Sequence, residues 1–171
     1  MNKLHVKQSG PSLHSGTVEL LGKIYPCALG KAGIVDDKRE GDSATPRGEF
    51  KLREVWYRAD RLPKPKTLLP IRELSPQDGW CDDIALPEYN RHVMLPFQGS
   101  HESLWRDDHV YDLIVPISYN DETPVPGKGS AIFIHIAREG YTPTAGCIAL
   151  KQEDLLEILE RCDNDTVIEI Q

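Results

Sequence analysis

The chain has 171 residues, 27 of them acidic and 20 basic, for a net charge of -7 with the histidines neutral. That length suits one well-buried domain spanning 1–171, and the negative balance without a basic stripe excludes nucleic acid as the expected partner. No apolar run approaches the roughly 18 residues of a membrane helix, so no membrane partner is expected either.

The first residues, MNKLHVKQSGPSLHSG, lack the apolar core of a secretory signal, which makes the cytoplasm the expected location. Leu4–Gln8 alternates apolar and polar residues and predicts a first strand, and Thr17–Leu21 and Lys23–Leu29 predict a hairpin about Gly22. Asp36–Ala44, DDKREGDSA, reads as a solvated loop. Phe50–Arg58 returns to a strand pattern. The middle third, Ala59–Arg106, is rich in proline and charge and predicts loops with short strands at Thr67–Leu74 and Arg91–Leu95. Trp80, Tyr89 and Asn90 fall in its loops, where binding residues concentrate, and are candidates for lining a substrate cleft. His92, His101 and His109 show no partner in sequence and read as surface residues.

Tyr111–Ser118 and Ser130–Ala137 are apolar β-forming runs, the second carrying His135 among Ile132, Phe133, Ile134 and Ile136. A loop punctuated by Gly140 and Pro143 follows, then Gly146, Cys147 and the short apolar step Ile148–Leu150. Leu155, Leu156, Ile158 and Leu159 recur at helical spacing and predict a helix over Gln152–Arg161, and Thr166–Ile170 predicts a last strand.

Chemistry concentrates between His135 and Cys147. A thiol near its ordinary pKa of ~8.5 is only a few per cent thiolate at pH 7, and an imidazole on a strand is a common means of activating it. Gly146 lets the backbone approach a substrate closely, so that its amide and that of Cys147 are expected to face a developing oxyanion. Cys27, Cys81, Cys147 and Cys162 lack CxxC spacing, which predicts free thiols and no metal site.

The segment Gly129–Leu150 resembles the signature of the L,D-transpeptidase (YkuD) family, in which a strand histidine and a loop precede Ser/Thr-His-Gly-Cys, an apolar residue and Arg or Asn. Thr144, Gly146, Cys147, Ile148 and Leu150 match, as does His135. Ala145 stands in place of the second histidine, and Ala149 in place of the polar residue. Upstream, Thr45, Pro46, Gly48 and Phe50 match the family's Thr-Pro-x-Gly-x-Phe turn. The resemblance runs from about Val18 to Ile170. It implies a mainly β, YkuD-like β-sandwich with one C-terminal helix packed beside the catalytic strand.

The resemblance also implies a reaction without a cofactor. Cys147 attacks a carbonyl of a peptidoglycan stem peptide, His135 serves as base, and Gly146 and Thr144 shape the site. The expected activity is an L,D-carboxypeptidase releasing terminal D-alanine from tetrapeptide stems during wall recycling. Cross-linking by the same chemistry and an inactive stem-peptide binder are the alternatives. Arg138, directly after the histidine strand, is the expected partner for the free carboxylate of the leaving D-amino acid.

Overall fold

The computed structural model describes residues 2–171. Fifteen strands and one helix follow in chain order: β1 Lys3–Gln8, β2 Ser15–Leu20, β3 Lys23–Ala28, β4 Ile34–Val35, β5 Thr45–Pro46, β6 Gly48–Lys51, β7 Val55–Tyr57, β8 Ile71–Glu73, β9 Asp78–Cys81, β10 Arg91–Met94, β11 His101–Ser103, β12 Leu113–Pro116, β13 Phe133–Ile136, β14 Ile148–Leu150, α1 Gln152–Leu159 and β15 Val167–Ile170. The fold is mainly β with one helix late in the chain, as expected.

Ten strands form one sheet in the order β6-β15-β1-β2-β3-β14-β13-β12-β7-β8. Its curvature follows from the chain. β6 and β7 stand eight positions apart in that order, which in a flat sheet would be roughly 38 Å at ~4.8 Å per strand. Yet only Leu52–Glu54 joins them, and the four steps from Lys51 to Val55 reach no more than about 14 Å. The sheet therefore has to curl until its two ends approach. An antiparallel bridge between Leu52 and Ile117, with Ser118 N–H donating to the Lys51 carbonyl at 3.0 Å, marks where they meet.

Strand alternation then sorts the side chains. Leu4, Val6, Val18, Leu20, Val55, Leu113, Val115, Ile134, Ile136, Ile148, Leu150 and Ile168 point into one buried core. Leu155, Ile158 and Leu159 of α1 pack into the same core, so the helix backs β13 as expected. The intervening residues of the central strands, Trp56, Ile114, Phe133 and Cys147, face the other way into a second cluster with Leu104, Val110 and Tyr111. His135 and Ala149 share that face by alternation. A small antiparallel sheet, β10-β9-β11, contributes Trp80 to this side.

The hairpin about Gly22 forms through Leu21 (φ 52°) and Gly22 (φ 81°), the left-handed pair that a two-residue turn of type I′ needs. Three expectations require correction. Phe50–Arg58 is not one strand but two, since the chain crosses from one sheet end to the other between Lys51 and Val55. β9 and β11 arise from DGWC and HES, which have no apolar periodicity of their own and pair by antiparallel backbone bonding. The supposed solvated loop Asp36–Ala44 is partly interior: Lys38 is 4% exposed and Ala44 1%.

Candidate active site

β13 and β14 lie side by side in parallel, with His135 opposite Ala149 and Ile134 opposite Ile148. Cys147 immediately precedes β14, so imidazole and thiol come from neighbouring strands and both line one cavity of about 330 Å³. Both are buried, His135 at 6% and Cys147 at 7% exposure.

The imidazole is oriented by its own strand. Nδ1 lies 2.9 Å from the Ile136 carbonyl oxygen, and a carbonyl only accepts, so Nδ1 carries the proton and Nε2 keeps a free lone pair. Burial pushes the imidazole pKa down to about 4; the Ile136 hydrogen bond opposes this, and the positive charges of Arg106 and Arg138 add to it. Burial also pushes the Cys147 thiol up to about 12, with the Glu102 carboxylate adding to the effect and the Phe133 amide and Lys38 opposing it. At neutral pH the pair is thus thiol and neutral imidazole. The thiol donates to the Ala131 carbonyl at 3.2 Å and accepts from the Phe133 amide at 3.4 Å.

The turn before the nucleophile is held from several sides. Thr144 Oγ1 accepts from the Gly146 amide at 3.1 Å and donates to the Cys147 carbonyl at 2.7 Å. Gly146 takes φ +140°, and a Cβ there would meet the Ala44 carbonyl oxygen at 2.6 Å, so glycine is needed both for the dihedral and for the close approach. Thr45 Oγ1 accepts from the Gly30 amide and donates to the Gly146 carbonyl, each at 2.9 Å. The two blocks of the sequence signature, far apart in the chain, are bonded directly.

This geometry amends the expected oxyanion site. The Gly146 amide is engaged by Thr144, whereas the Cys147 amide has no hydrogen-bond partner among the described residues. Thr144 lines the cavity, but its hydroxyl is occupied within the turn. Arg138 lines the cavity too, half-exposed, and reaches Asp108 only at 3.4 Å.

Trp80, Tyr89 and Asn90 do not line it. Tyr89 is buried, its hydroxyl donating to Glu40 and accepting from the Gly129 amide, each at 2.9 Å. Asn90 is buried beside Trp80 and accepts from its indole N–H at 3.0 Å. A loop assignment made them candidates, but Trp80 is paired within β9. Tyr89 and Asn90 do lie in the turn before β10 but are drawn inward by their own hydrogen bonds, Tyr89 to Glu40 and Gly129 and Asn90 to Tyr119, Asn120 and Ala131. His92 and His109 are likewise not free, lying 2.7 Å from the carboxylates of Asp78 and Asp112.

Sequence reasoning missed Lys38, Glu102, Arg106 and Tyr111, all in the cavity wall. The Tyr111 ring packs edge-on to His135 with centroids 5.3 Å apart, and its hydroxyl donates to Glu102. Arg106 grips Asp108 with two bonds of 2.8 and 2.7 Å, and Lys38 pairs with Asp42 at 2.7 Å. The charge run around Arg106–His109 was the one available signal. Among the described residues, no group of three or more His, Cys, Asp or Glu side chains is placed to hold a metal, and no helix is long and apolar enough to cross a membrane.

The YkuD model, described as the L,D-transpeptidase catalytic domain, matches residues 16–170. Among solved structures, Mycobacterium tuberculosis L,D-transpeptidase 1 is similar at 17% identity and a TM-score of 0.40. The alignment covers 99% of this chain and 62% of that one, so this chain spans less than two thirds of that structure. No curated protein matches.

Proposed function

The chain belongs to the L,D-transpeptidase catalytic domain family, and from that premise we propose that it is a cysteine L,D-carboxypeptidase that removes the terminal D-amino acid from peptidoglycan tetrapeptide stems. Cys147 Sγ attacks the carbonyl after the L-centre of the diamino acid, and its proton passes to Nε2 of His135. Nδ1, held by the Ile136 carbonyl, keeps the ring in the tautomer that can receive it. The oxyanion faces the Cys147 amide. Collapse of the tetrahedral adduct breaks the C–N bond, His135 returns the proton to the leaving amine, and a thioester remains. Water, losing a proton to the same nitrogen, then releases the tripeptide and restores the thiol.

The observation that carries hydrolysis over cross-linking is the polarity of the cavity. Lys38, Glu40, Asp82, Glu102, Arg106 and Arg138 all contribute to its wall. Charged walls hold water beside the thioester, whereas an amine acceptor competes only where it is bound at high effective concentration and water is kept out. Arg138 supplies positive charge for the carboxylate of the leaving D-amino acid, Arg106 being engaged by Asp108. The family's description favours the second reading, transpeptidation by an amine acceptor. Such trimming belongs to cytoplasmic wall recycling, a setting compatible with four buried free thiols.

Incubation of the purified protein with a tetrapeptide stem, with and without a competing D-amino acid, tests the reading by mass spectrometry. Tripeptide and free D-alanine are the expected products in both. Exchange of the terminal residue for the added one, without net hydrolysis, would make the protein a transpeptidase; binding without any product would make it a stem-peptide binder.

A further inference from the structure

Asn90 was a candidate for touching substrate, and the structure gives it a different place. It is buried, adopts φ +56° itself, and satisfies both ends of its amide. Nδ2 donates to the carbonyls of Tyr119 at 3.1 Å and Asn120 at 2.7 Å. Oδ1 accepts from Trp80 Nε1 at 3.0 Å and from the Ala131 amide at 3.0 Å. With all these partners present, the side chain has one orientation.

Ala131 is the informative end of this network. It sits at φ +54°, a left-handed conformation that asparagine tolerates and alanine disfavours because its Cβ crowds the following carbonyl. Such strain persists only where surrounding bonds over-determine it. Here the Asn90 side chain fixes the amide before Ala131 Cα, and the Ile132 carbonyl is fixed on the other side by the Ile117 amide at 3.2 Å. The Ala131 carbonyl left between them is the acceptor of the Cys147 thiol. The thiol proton is thereby directed to a backbone oxygen and not to His135.

We propose that Asn90 is a positioning residue that, by holding Ala131 in its left-handed conformation, keeps the Cys147 thiol turned onto the Ala131 carbonyl in the empty enzyme, so that attack begins with release of this latch. Substrate supplies the alternative: once a carbonyl carbon lies beside Sγ, rotation about the Cys147 side chain exchanges the Ala131 bond for one to His135 Nε2. The inference rests on Cys147 being the nucleophile of the proposed reaction, but its test reads the resting thiol and needs no substrate.

Asn90→Gly retains the left-handed backbone at position 90 and removes the amide side chain. Ala131 is then expected to relax, and alkylation of Cys147 by iodoacetamide at pH 7 to rise by roughly 3- to 10-fold, the factor by which losing one neutral hydrogen bond shifts an equilibrium. Its pH profile should move to lower pH, while Cys27, Cys81 and Cys162, mapped in the same digest, stay as slow as in the wild type. An unchanged Cys147 profile, or equal acceleration at all four thiols, would overturn the proposal. Where that variant fails to fold, the wild-type minus Cys147→Ala infrared difference spectrum decides: the S–H stretch is expected at the lowered frequency of a hydrogen-bonded thiol, and a free-thiol frequency would sink the latch. Loss of the proposed hydrolysis would leave these readouts untouched, so the two ideas fail separately.

Discussion

The hydroxyl of Thr45 donates a 2.9 Å hydrogen bond to the carbonyl of Gly146 across 101 residues of chain. The same oxygen accepts from the Gly30 amide, and the whole arrangement is buried. A turn that would otherwise only redirect the chain is therefore part of the nucleophile's support.

Thr45→Val should expose this dependence. It leaves the Gly30 amide and the Gly146 carbonyl unsatisfied in the interior, which costs about 1–3 kcal/mol each at most when no water enters. A lowered melting temperature together with a lowered kcat is the expected outcome. Gly146→Ala should be harsher, because its Cβ meets the Ala44 oxygen at 2.6 Å. Wild-type turnover in either variant would remove the turn from the catalytic apparatus.

His135→Gln should lower kcat by at least ~10², the low end for a general base, with the fold preserved. In the wild type the acid limb of kcat/KM should lie near pH 4, where burial places the free imidazole, and not near 6.5. A limb at the ordinary histidine value would mean that the ring is solvated in the working enzyme.

The same depressed pKa makes a stability prediction with a definite sign. Above about pH 6.5 the ring is neutral folded and unfolded; as pH falls from 6.5 towards 4 only the unfolded chain takes up the proton, and stability declines by about 3 kcal/mol across that window. Melting temperatures should therefore fall less steeply between these pH values in His135→Gln than in the wild type. Parallel curves would rule the ring out as the cause.

Among the thiols, Cys147 alone lines the cavity, whereas Cys27 and Cys162 are enclosed in the main core. Burial pushes all three up to about 12, so alkylation at pH 7 should be slow throughout. Cys147 should nevertheless be modified first, and Cys147→Ala should abolish turnover. Activity in that variant would end the thiol mechanism.

Arg138→Met should weaken the preference for a substrate with a free terminal carboxylate over its amide, with the loss appearing mainly in KM. Arg106→Met adds a control, since Arg106 is already committed to Asp108 through two bonds. If only Arg106→Met alters the preference, the carboxylate partner has been misassigned.

What sequence made legible was local. The apolar β-forming run about His135 marked its strand, and Gly22 marked a hairpin, because strand composition and turn geometry are written over a few residues. The glycine and cysteine of the motif were found for the same reason. The cavity wall was not local. Lys38 lies in a run whose composition reads as solvent-facing, yet its charge is buried against Asp42, whose carboxylate the Arg39 and Ala44 amides hold in place. Trp80 and Asn90 were given a place in the cleft because they read as loop residues; antiparallel pairing of β9 with β10 and β11 placed Trp80, and hydrogen bonds to Tyr119, Asn120 and Ala131, all distant in the chain, turned Asn90 inward. The Ile136 carbonyl that orients His135 belongs to the backbone, which no residue pattern advertises.

The position of β15 between β6 and β1 has a consequence for how the chain is made. Synthesis delivers β1 and β6 early, and the strand that lies between them, the only sheet neighbour of β6, only after α1 has been translated. Until Val167–Ile170 is in place, one edge of β1 and the whole of β6 lack their strand partner and invite pairing with another copy. The nucleophile turn precedes β15 in the chain, so every residue of the site is present before the sheet behind it is complete. Chains truncated between Leu159 and Val167 should therefore possess every residue of the active site and still associate with one another.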